Sequence, residues 1–147
     1  MKIADCEFLE DRYYDKEHVW YKKMGDLLRV GVTDFFQKMA NEIVFVELPV
    51  TGRSLETGKP FASIESGKWV GRVKCAVTGT VAGANGELAD FPYLLNESPY
   101  DEGWLIDIMP ANEEYPATLF DLRDQKQLDD FKDFLEAERQ RIADMTK

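Results

Sequence analysis

Short apolar segments with alternating side chains recur along most of this chain, and turn residues separate them. Such segments are typical of β-strands, because successive side chains of a strand point to opposite faces of a sheet. The segments predicted as strands are residues 19–21, 27–32, 42–49, 61–64, 70–77, 78–83 and 103–110. Many short strands at near-regular spacing predict a mainly β (α+β) fold, built as a β-sandwich or a small barrel.

Three segments depart from this alternation. Thr33 is expected to cap a short helix over residues 34–40, and a second helical stretch over 87–95 contains Pro92, which would distort it. After Pro116 the apolar residues recur at helical spacing, which predicts a C-terminal helix that covers one side of the barrel. The apolar residues of that helix are Leu128, Phe131, Phe134, Leu135, Ile142 and Met145.

Lys68 lies between two predicted strands, in the short segment Glu65-Ser66-Gly67-Lys68-Trp69. A lysine at the tip of a tight hairpin holds its amine away from the fold, where a modifying enzyme can reach it. The flanking strands fix the direction of the side chain. This arrangement is typical of a carrier whose chemistry belongs to a group attached to the lysine.

Composition excludes several other classes. The net charge of −10 argues against nucleic-acid binding, which needs clustered Lys and Arg, and it suits docking on basic surfaces of partner proteins. No apolar run resembles a signal peptide or approaches membrane-spanning length, which predicts a cytoplasmic protein with no membrane partner.

Candidate catalytic or metal-binding residues are few. The chain has 1 histidine, His18, so a histidine-based metal site is not expected. Its 2 cysteines, Cys6 and Cys75, do not form a disulfide scaffold, and Cys75 is predicted to be a small core residue. An enzyme with its own active site is therefore the weaker hypothesis.

At several fixed spacings the chain resembles the lipoyl-carrying H-proteins of the glycine cleavage system. The family's His-Glu-Trp appears as His18-Val19-Trp20, its Gly-Ile-Thr-Asp as residues 31–34, and its most recognisable strand as residues 43–49. Matches continue in register from residue 85 to 105. The modified lysine of the family, within Glu-Ser-Val-Lys-Ala, aligns with Lys68 without a gap.

The resemblance implies a barrel-sandwich hybrid fold of the lipoyl/biotinyl type, with short helices and the C-terminal helix. Residues 14–116 would form the carrier domain, 1–13 an N-terminal leader, and 117–147 the helix packed on it. It also implies a lipoate attached covalently to Lys68 through an amide, which removes the charge of the lysine. Biotin is the alternative arm, but biotinyl domains usually place methionines where this chain has Gly67 and Trp69. An unmodified hairpin lysine is the simplest alternative.

The resemblance also suggests roles for the neighbours of Lys68. Glu65, Ser66, Gly67 and Trp69 would be recognised during modification, with Gly67 easing the turn. Trp69 stands where the family usually has alanine, and it would either contact the arm or a partner, or pack across the hairpin.

The resemblance places His18, Val19 and Arg72 around the arm. Two of these residues differ from the family in a way that bears on the charge of the cargo. The family has a glutamate at the position of Val19 and usually an acidic residue at that of Arg72. Carboxylates favour a cationic aminomethyl cargo, whereas an arginine favours an anionic thiolate, persulfide or sulfur oxyanion. In this respect the chain looks like the lipoate-binding proteins that accompany heterodisulfide-reductase-like complexes in sulfur oxidation.

Three functional hypotheses follow. The first is a lipoyl carrier of a sulfur intermediate, with a heterodisulfide-reductase-like complex as partner. The second is an H-protein that shuttles an aminomethyl group among the glycine cleavage decarboxylase, the aminomethyltransferase and dihydrolipoyl dehydrogenase. Both need a lipoate–protein ligase or a lipoyl synthase and transferase. The third is an unmodified interaction module that retains only the fold.

Overall fold

Two β-sheets share one hydrophobic core in the computed structural model, which describes residues 1–145. The strands within these residues are β1 (Lys2–Ile3), β2 (Cys6–Glu7), β3 (Tyr13–Tyr14), β4 (Val19–Met24), β5 (Leu27–Val32), β6 (Ile43–Glu47), β7 (Ser54–Leu55), β8 (Pro60–Ser66), β9 (Val70–Lys74), β10 (Gly79–Ala84), β11 (Ile106–Pro110) and β12 (Phe120–Asp121). The α-helices are α1 (Asp34–Ala40), α2 (Leu94–Glu97) and α3 (Gln125–Met145). Two 3₁₀ turns lie at Gly86–Ala89 and Tyr115–Thr118.

The larger sheet has the strand order β12-β3-β4-β5-β11-β10-β7. Its central hairpin, β4–β5, turns at Gly25 with a φ of 63°, as the Gly-Asp pair between apolar runs predicts. Val30, Ile106 and Ile108 of this sheet are fully buried. The mainly β fold predicted from the alternating segments is therefore confirmed.

The smaller sheet has the order β6-β8-β9 and carries the Lys68 hairpin between β8 and β9. Its inward side chains, Val46, Ile64 and Val73, pack into the same core as the larger sheet. Because side chains alternate along a strand, the opposite face of this small sheet points to solvent. The hairpin is thus anchored by burial on one side and accessible on the other.

The short helices begin and end where local chemistry predicts. Thr33 accepts a hydrogen bond from the backbone N–H of Phe36 at 3.2 Å and caps α1, while Asn41 follows the helix with a φ of 67°. The predicted helical stretch over 87–95 is instead the 3₁₀ turn Gly86–Ala89 followed by α2, because Pro92 interrupts the helix between them. None of the helices within residues 1–145 is long and apolar enough to cross a membrane.

A second hydrophobic cluster joins the two ends of the chain. Its buried members are Ile3, Cys6, Phe8, Tyr14, Trp20, Phe35, Leu122, Leu128, Phe131 and Leu135. The segment 1–13, predicted as a polar leader, therefore contributes to a core, since Phe8 contacts Phe131 edge to face with ring centroids 5.2 Å apart. The division of the chain at residues 14 and 117 stays a prediction.

The C-terminal helix begins later and buries less than its apolar spacing predicts. Strand β12 pairs with β3 inside the segment predicted as helix, so α3 begins at Gln125. Phe134 and Ile142 are partly buried, but Met145 is exposed because the last turn of α3 extends beyond the second cluster. Residues 146 and 147 of the predicted helix lie outside the described residues.

A buried hydrogen-bonded group connects β4 to the end of the Lys68 hairpin. The Tyr21 hydroxyl donates to Asp15 Oδ2 at 2.7 Å and accepts from the Ala76 backbone N–H at 2.9 Å. Asp15 Oδ1 also accepts from the backbone N–H groups of Glu17 and Val19. Burial raises the pKa of Asp15 to about 6 although these hydrogen bonds oppose the shift.

Replacing Tyr21 by phenylalanine should destabilise the fold. The change leaves the Asp15 carboxylate and the Ala76 N–H buried without their shared partner, which costs about 1–3 kcal/mol. The free energy of unfolding in urea measures the loss. Tyr93→Phe is the matched control, because Tyr93 is exposed and its loss of a hydroxyl should change stability by less than ~0.5 kcal/mol. Equal losses in the two variants would contradict a role for the buried hydroxyl.

Candidate functional site

Lys68 lies in the turn that joins β8 to β9, and its side chain is exposed. Strand pairing ends at Glu65 and Val70, so the turn projects beyond the paired part of the sheet. Within residues 1–145 no carboxylate lies within ion-pair distance of the Lys68 amine. Acylation of this amine would therefore break no ion pair with the described residues.

Ser66 determines the shape of the turn. Its backbone N–H donates to the Trp69 carbonyl at 2.7 Å, and its hydroxyl accepts from the Lys68 N–H at 3.3 Å. The same hydroxyl lies 3.4 Å from the Trp69 carbonyl. Because Ser66 is buried, a modifying enzyme cannot contact it directly, so its predicted recognition role could act only through turn geometry.

Glu65 and Gly67 flank this turn and are both exposed. The Glu65 side chain is thus available for the recognition role predicted for it. Gly67 has no left-handed φ, and a Cβ added there would meet no atom within 4 Å. The expectation that glycine eases this turn is not supported, because the backbone conformation accommodates other residues.

Trp69 packs on its own hairpin. Its ring meets Phe36 of α1 edge to face with centroids 5.4 Å apart, and a Cβ added at Gly71 would overlap the indole ring. The side chain still exposes 36 % of its surface beside Lys68. These contacts are with α1 and with β9 itself, so the two alternatives left open by the sequence stay predictions, and the exposed edge leaves a surface for contacts with other groups.

Arg72 lies on the exposed face of β9, two residues after Val70 and on the same side of the strand. Its neighbour in the strand pairing is Ser63, and it lines a cavity of about 170 Å³ together with Arg53 and Glu47. Arg72 has no ion-pair partner among residues 1–145. An anionic group near this face would therefore find an unpaired guanidinium.

His18 and Val19 are both buried. Val19 is fully buried in the shared core, and His18 is enclosed between Phe35 of α1 and Phe134 of α3. Neither side chain reaches the surface around Lys68, because both are used for packing. Their place beside the arm stays a prediction, and the argument about cargo charge rests on Arg72.

His18 instead connects α3 to the start of β4. Its Nε2 lies 3.1 Å from Glu138 Oε1, and Glu138 also pairs with Arg141. Burial lowers the pKa of His18 below its ordinary value of 6.5, although Glu138 and Glu17 oppose the shift. This role was missed from the sequence, where only the helical spacing of Phe134 hinted at a buried neighbour.

A cavity of about 690 Å³ lies at the other end of β9 from Lys68. Asp15, Lys74, Cys75, Tyr115 and Leu119 are among the residues that line it. Cys75 is buried, as predicted for a core residue, and burial raises its thiol pKa to about 11, which disfavours a thiolate nucleophile. No group of three or more His, Cys, Asp or Glu in residues 1–145 is arranged to hold a metal ion.

Two packed β-sheets that present an exposed lysine at a hairpin tip define a carrier of the lipoyl type. The comparisons agree with this class. The family model described as glycine cleavage H-protein matches residues 12–132, and the chain belongs to that family.

Individual relatives cover most of the chain. It is 45 % identical over 105 residues to the glycine cleavage system H protein of Oceanobacillus iheyensis, which spans 71 % of this chain and 83 % of the relative. It is 38 % identical over 140 residues to the probable glycine cleavage system H protein 2 of Sulfolobus acidocaldarius, covering 92 % and 93 % of the two chains. A crystal structure of a glycine cleavage system H protein from Mycobacterium marinum superposes with a TM-score of 0.68 at 28 % identity, covering 75 % of this chain and 97 % of that one.

The family assignment supports the general functional predictions. The chain is a non-catalytic lipoyl carrier protein that works within a multienzyme system, and proteins of its family hold lipoate covalently on a lysine. The relatives are named for glycine cleavage and not for sulfur oxidation. They therefore favour the second functional hypothesis over the first.

Replacing Gly71 by alanine should displace the Trp69 indole from Phe36. The added Cβ overlaps the ring, and we expect a loss of about 1–3 kcal/mol in unfolding free energy together with a red shift of tryptophan emission. In a Trp69→Ala background the same change should cost less than ~0.5 kcal/mol, since the ring is absent. Equal costs in both backgrounds would show that the Gly71 contact is unimportant.

The stability of the chain should depend on the charge state of His18. Because its pKa is lowered in the folded chain, the unfolded chain binds the proton more readily. The stabilising contribution of neutral His18 is complete above pH 6.5 and is lost as the pH falls below that value, at up to ~1.4 kcal/mol per pH unit.

Urea unfolding at pH 7.5 and 5.5 tests this dependence, with His18→Asn as the comparison. Asparagine tolerates the left-handed backbone at this position, where φ is 65°. The wild-type chain should lose more stability than the variant on acidification. Protonation of Asp15 on acidification stabilises the folded chain, which is the opposite effect. It occurs in both the wild-type chain and the variant, so it cancels when their losses of stability are compared. Parallel pH profiles would contradict the assignment.

Proposed function

We propose that Lys68 is the lipoylated residue and that the chain shuttles an aminomethyl group among the glycine cleavage enzymes. The partners would be the decarboxylase, the aminomethyltransferase, dihydrolipoyl dehydrogenase and a lipoate-attaching enzyme. The single observation that supports this most is the exposed, unpaired amine of Lys68 at a hairpin tip in a member of this family.

The residues around Lys68 fit an attached lipoyl group. The amine reaches solvent, the Ser66 hydrogen bonds hold the turn, and the Trp69 ring restrains the start of β9. When bound, the group supplies a disulfide that can be reduced and exchanged with thiols of other molecules. The protein residues supply a fixed attachment point and an acidic surface.

The charges near the turn suit a cationic cargo. Glu65 lies opposite Val70 in the strand register, and Glu47 lies opposite Ser63 in the next outward row. Both carboxylates are exposed and have no ion-pair partner among residues 1–145. They provide negative potential close to Lys68 although the family's glutamate is replaced by the buried Val19.

A second candidate function is transport of an anionic sulfur intermediate in a heterodisulfide-reductase-like pathway. The observation that favours it is the unpaired Arg72 on the strand that follows Lys68, beside Arg53. Guanidinium groups bind oxyanions and thiolates through charge-assisted hydrogen bonds. This candidate shares the attachment at Lys68 and differs only in cargo and partners.

Lys68→Arg should abolish both modification and transport. Arginine keeps the positive charge but lacks the primary amine that forms the amide. Glycine turnover with the three purified partners, followed by NADH formation, should fall to background, and intact mass should show no lipoyl adduct. Folding should be unaffected, because the side chain is exposed. Lys74→Arg is the control, since Lys74 is an exposed lysine on the same hairpin.

The outcomes separate the three functional hypotheses. Glycine turnover that persists in Lys68→Arg would contradict the attachment site. A lipoylated wild-type chain that supports no glycine turnover would contradict the aminomethyl assignment and favour the sulfur candidate. A wild-type chain without any lysine-linked lipoyl group in its native host would contradict both carrier functions and leave an unmodified interaction module.

A further inference from the structure

An exposed apolar surface lies beside Lys68 on the outward side of the small sheet. We call it the hairpin face and define it by Val44, Phe45 and Val70. Phe45 pairs with Glu65 across β6 and β8, and Glu65 pairs with Val70 across β8 and β9. Phe45, Glu65 and Val70 therefore form the outward row nearest to the turn. Since neighbouring strands are about 4.8 Å apart, Phe45 lies roughly 10 Å from Val70.

A β-bulge in β6 enlarges this surface. Ile43 pairs with Ser66 and Phe45 with Glu65, so Val44 is an additional residue without a counterpart on β8. The bulge allows Val44 and Phe45, which are adjacent in the chain, both to be exposed. Exposed apolar side chains gathered in one place and bordered by charged residues are a property of interaction surfaces.

Acidic side chains lie within and around the hairpin face, with Glu65 between Phe45 and Val70. Glu42, Glu47 and Glu65 are exposed, and none of them forms an ion pair within residues 1–145. Arg72 is the nearby exception on β9. Exposed apolar side chains interspersed with unpaired carboxylates are complementary to a partner surface that combines apolar side chains with basic residues.

The distance between the sheet and the reacting atom differs among the partner enzymes, and it indicates which of them must contact this surface. An enzyme that acylates Lys68 has to bring its active site to the bare amine, so its surface must contact residues next to the turn. Enzymes that act later meet the far end of a long arm and can bind at a distance. We propose that the hairpin face is the docking surface for the enzyme that acylates Lys68. This inference rests on the proposed attachment at Lys68.

The covalent step defines the substrates of the test. The Lys68 amine attacks the carbonyl carbon of a lipoyl adenylate, which is formed from lipoate and ATP with release of pyrophosphate. A C–N bond forms, the C–O bond to AMP breaks, and the amine nitrogen loses a proton. The orientation of the amine toward this carbonyl is what the hairpin face provides by fixing the enzyme on the sheet.

The test measures acylation of the full unmodified chain by a purified lipoate–protein ligase with lipoate, ATP and Mg²⁺, followed by intact mass. Phe45→Ser and Val70→Ser should each lower kcat/KM at least tenfold, mainly through KM. Val50→Ser and Met109→Ser are the controls. Val50 is as exposed as Val70 (77 % and 72 %), and Met109 is as exposed as Phe45 (48 % and 49 %). Both controls lie away from the hairpin face and should change kcat/KM by less than twofold.

A second measurement distinguishes acylation from docking in general. Samples of Phe45→Ser and Val70→Ser that have been fully lipoylated by prolonged incubation should be reduced by NADH and dihydrolipoyl dehydrogenase within twofold of the wild-type rate. Normal acylation of both variants would overturn this inference but would leave the proposed attachment at Lys68 unaffected. Equal impairment of acylation and reduction would also overturn it, because the surface would then serve all partners. A wild-type chain that never acquires a lipoyl group on Lys68 would overturn the proposed function as well.

Discussion

Burial of one face of the three-stranded sheet is the constraint on which the functional site depends. Val46, Ile64 and Val73 each point into the shared core, one from each strand. A shift of the β8–β9 pairing by one residue would turn either Ile64 of β8 or Val73 of β9 to solvent, so the register of the hairpin is strongly determined. The same register places Gly67 and Lys68 in the turn. The position of the functional amine is therefore a consequence of hydrophobic packing several residues away.

The sequence predicts those features that depend on local chemistry and alternation. The Gly25 turn, the Thr33 cap and the Lys68 hairpin each need only a few neighbouring residues to form, and all three are present. Comparison of motif spacing with a known family supplied what alternation could not, namely the barrel-sandwich arrangement and the identity of the lysine. The predicted site at Lys68 therefore rests on two independent kinds of information, a local turn pattern and a long-range match in register.

Long-range packing was not predictable in the same way. The sequence predicts a polar leader because Phe8 and Ile3 stand among charged residues. Both nevertheless join a cluster with α3, which begins more than 100 residues later in the chain. His18 was placed near the arm by analogy with the family, whereas contacts with Phe35 and Phe134 enclose it. The bulge at Val44 also has no local signal, since its residues continue the apolar pattern of β6. These features depend on which distant side chains come together.

The geometry of the outward face bears on the choice between a cationic and an anionic cargo. Glu65 lies in the row nearest to the turn, and Arg72 lies one row further along β9, about 7 Å away at ~3.3 Å per residue. Coulomb energy falls with distance, and salt screens exposed charges over about 8 Å, so the nearer charge dominates at each position. A group held close to the turn would meet the carboxylate first, whereas one that extends along β9 would meet Arg72 and then Arg53. Along β9 the surface thus changes from the Glu65 carboxylate to the Arg72 guanidinium, whereas Glu47 occupies the same row as Arg72 on β6, so the length and direction over which a bound cargo extends decide which residue it encounters.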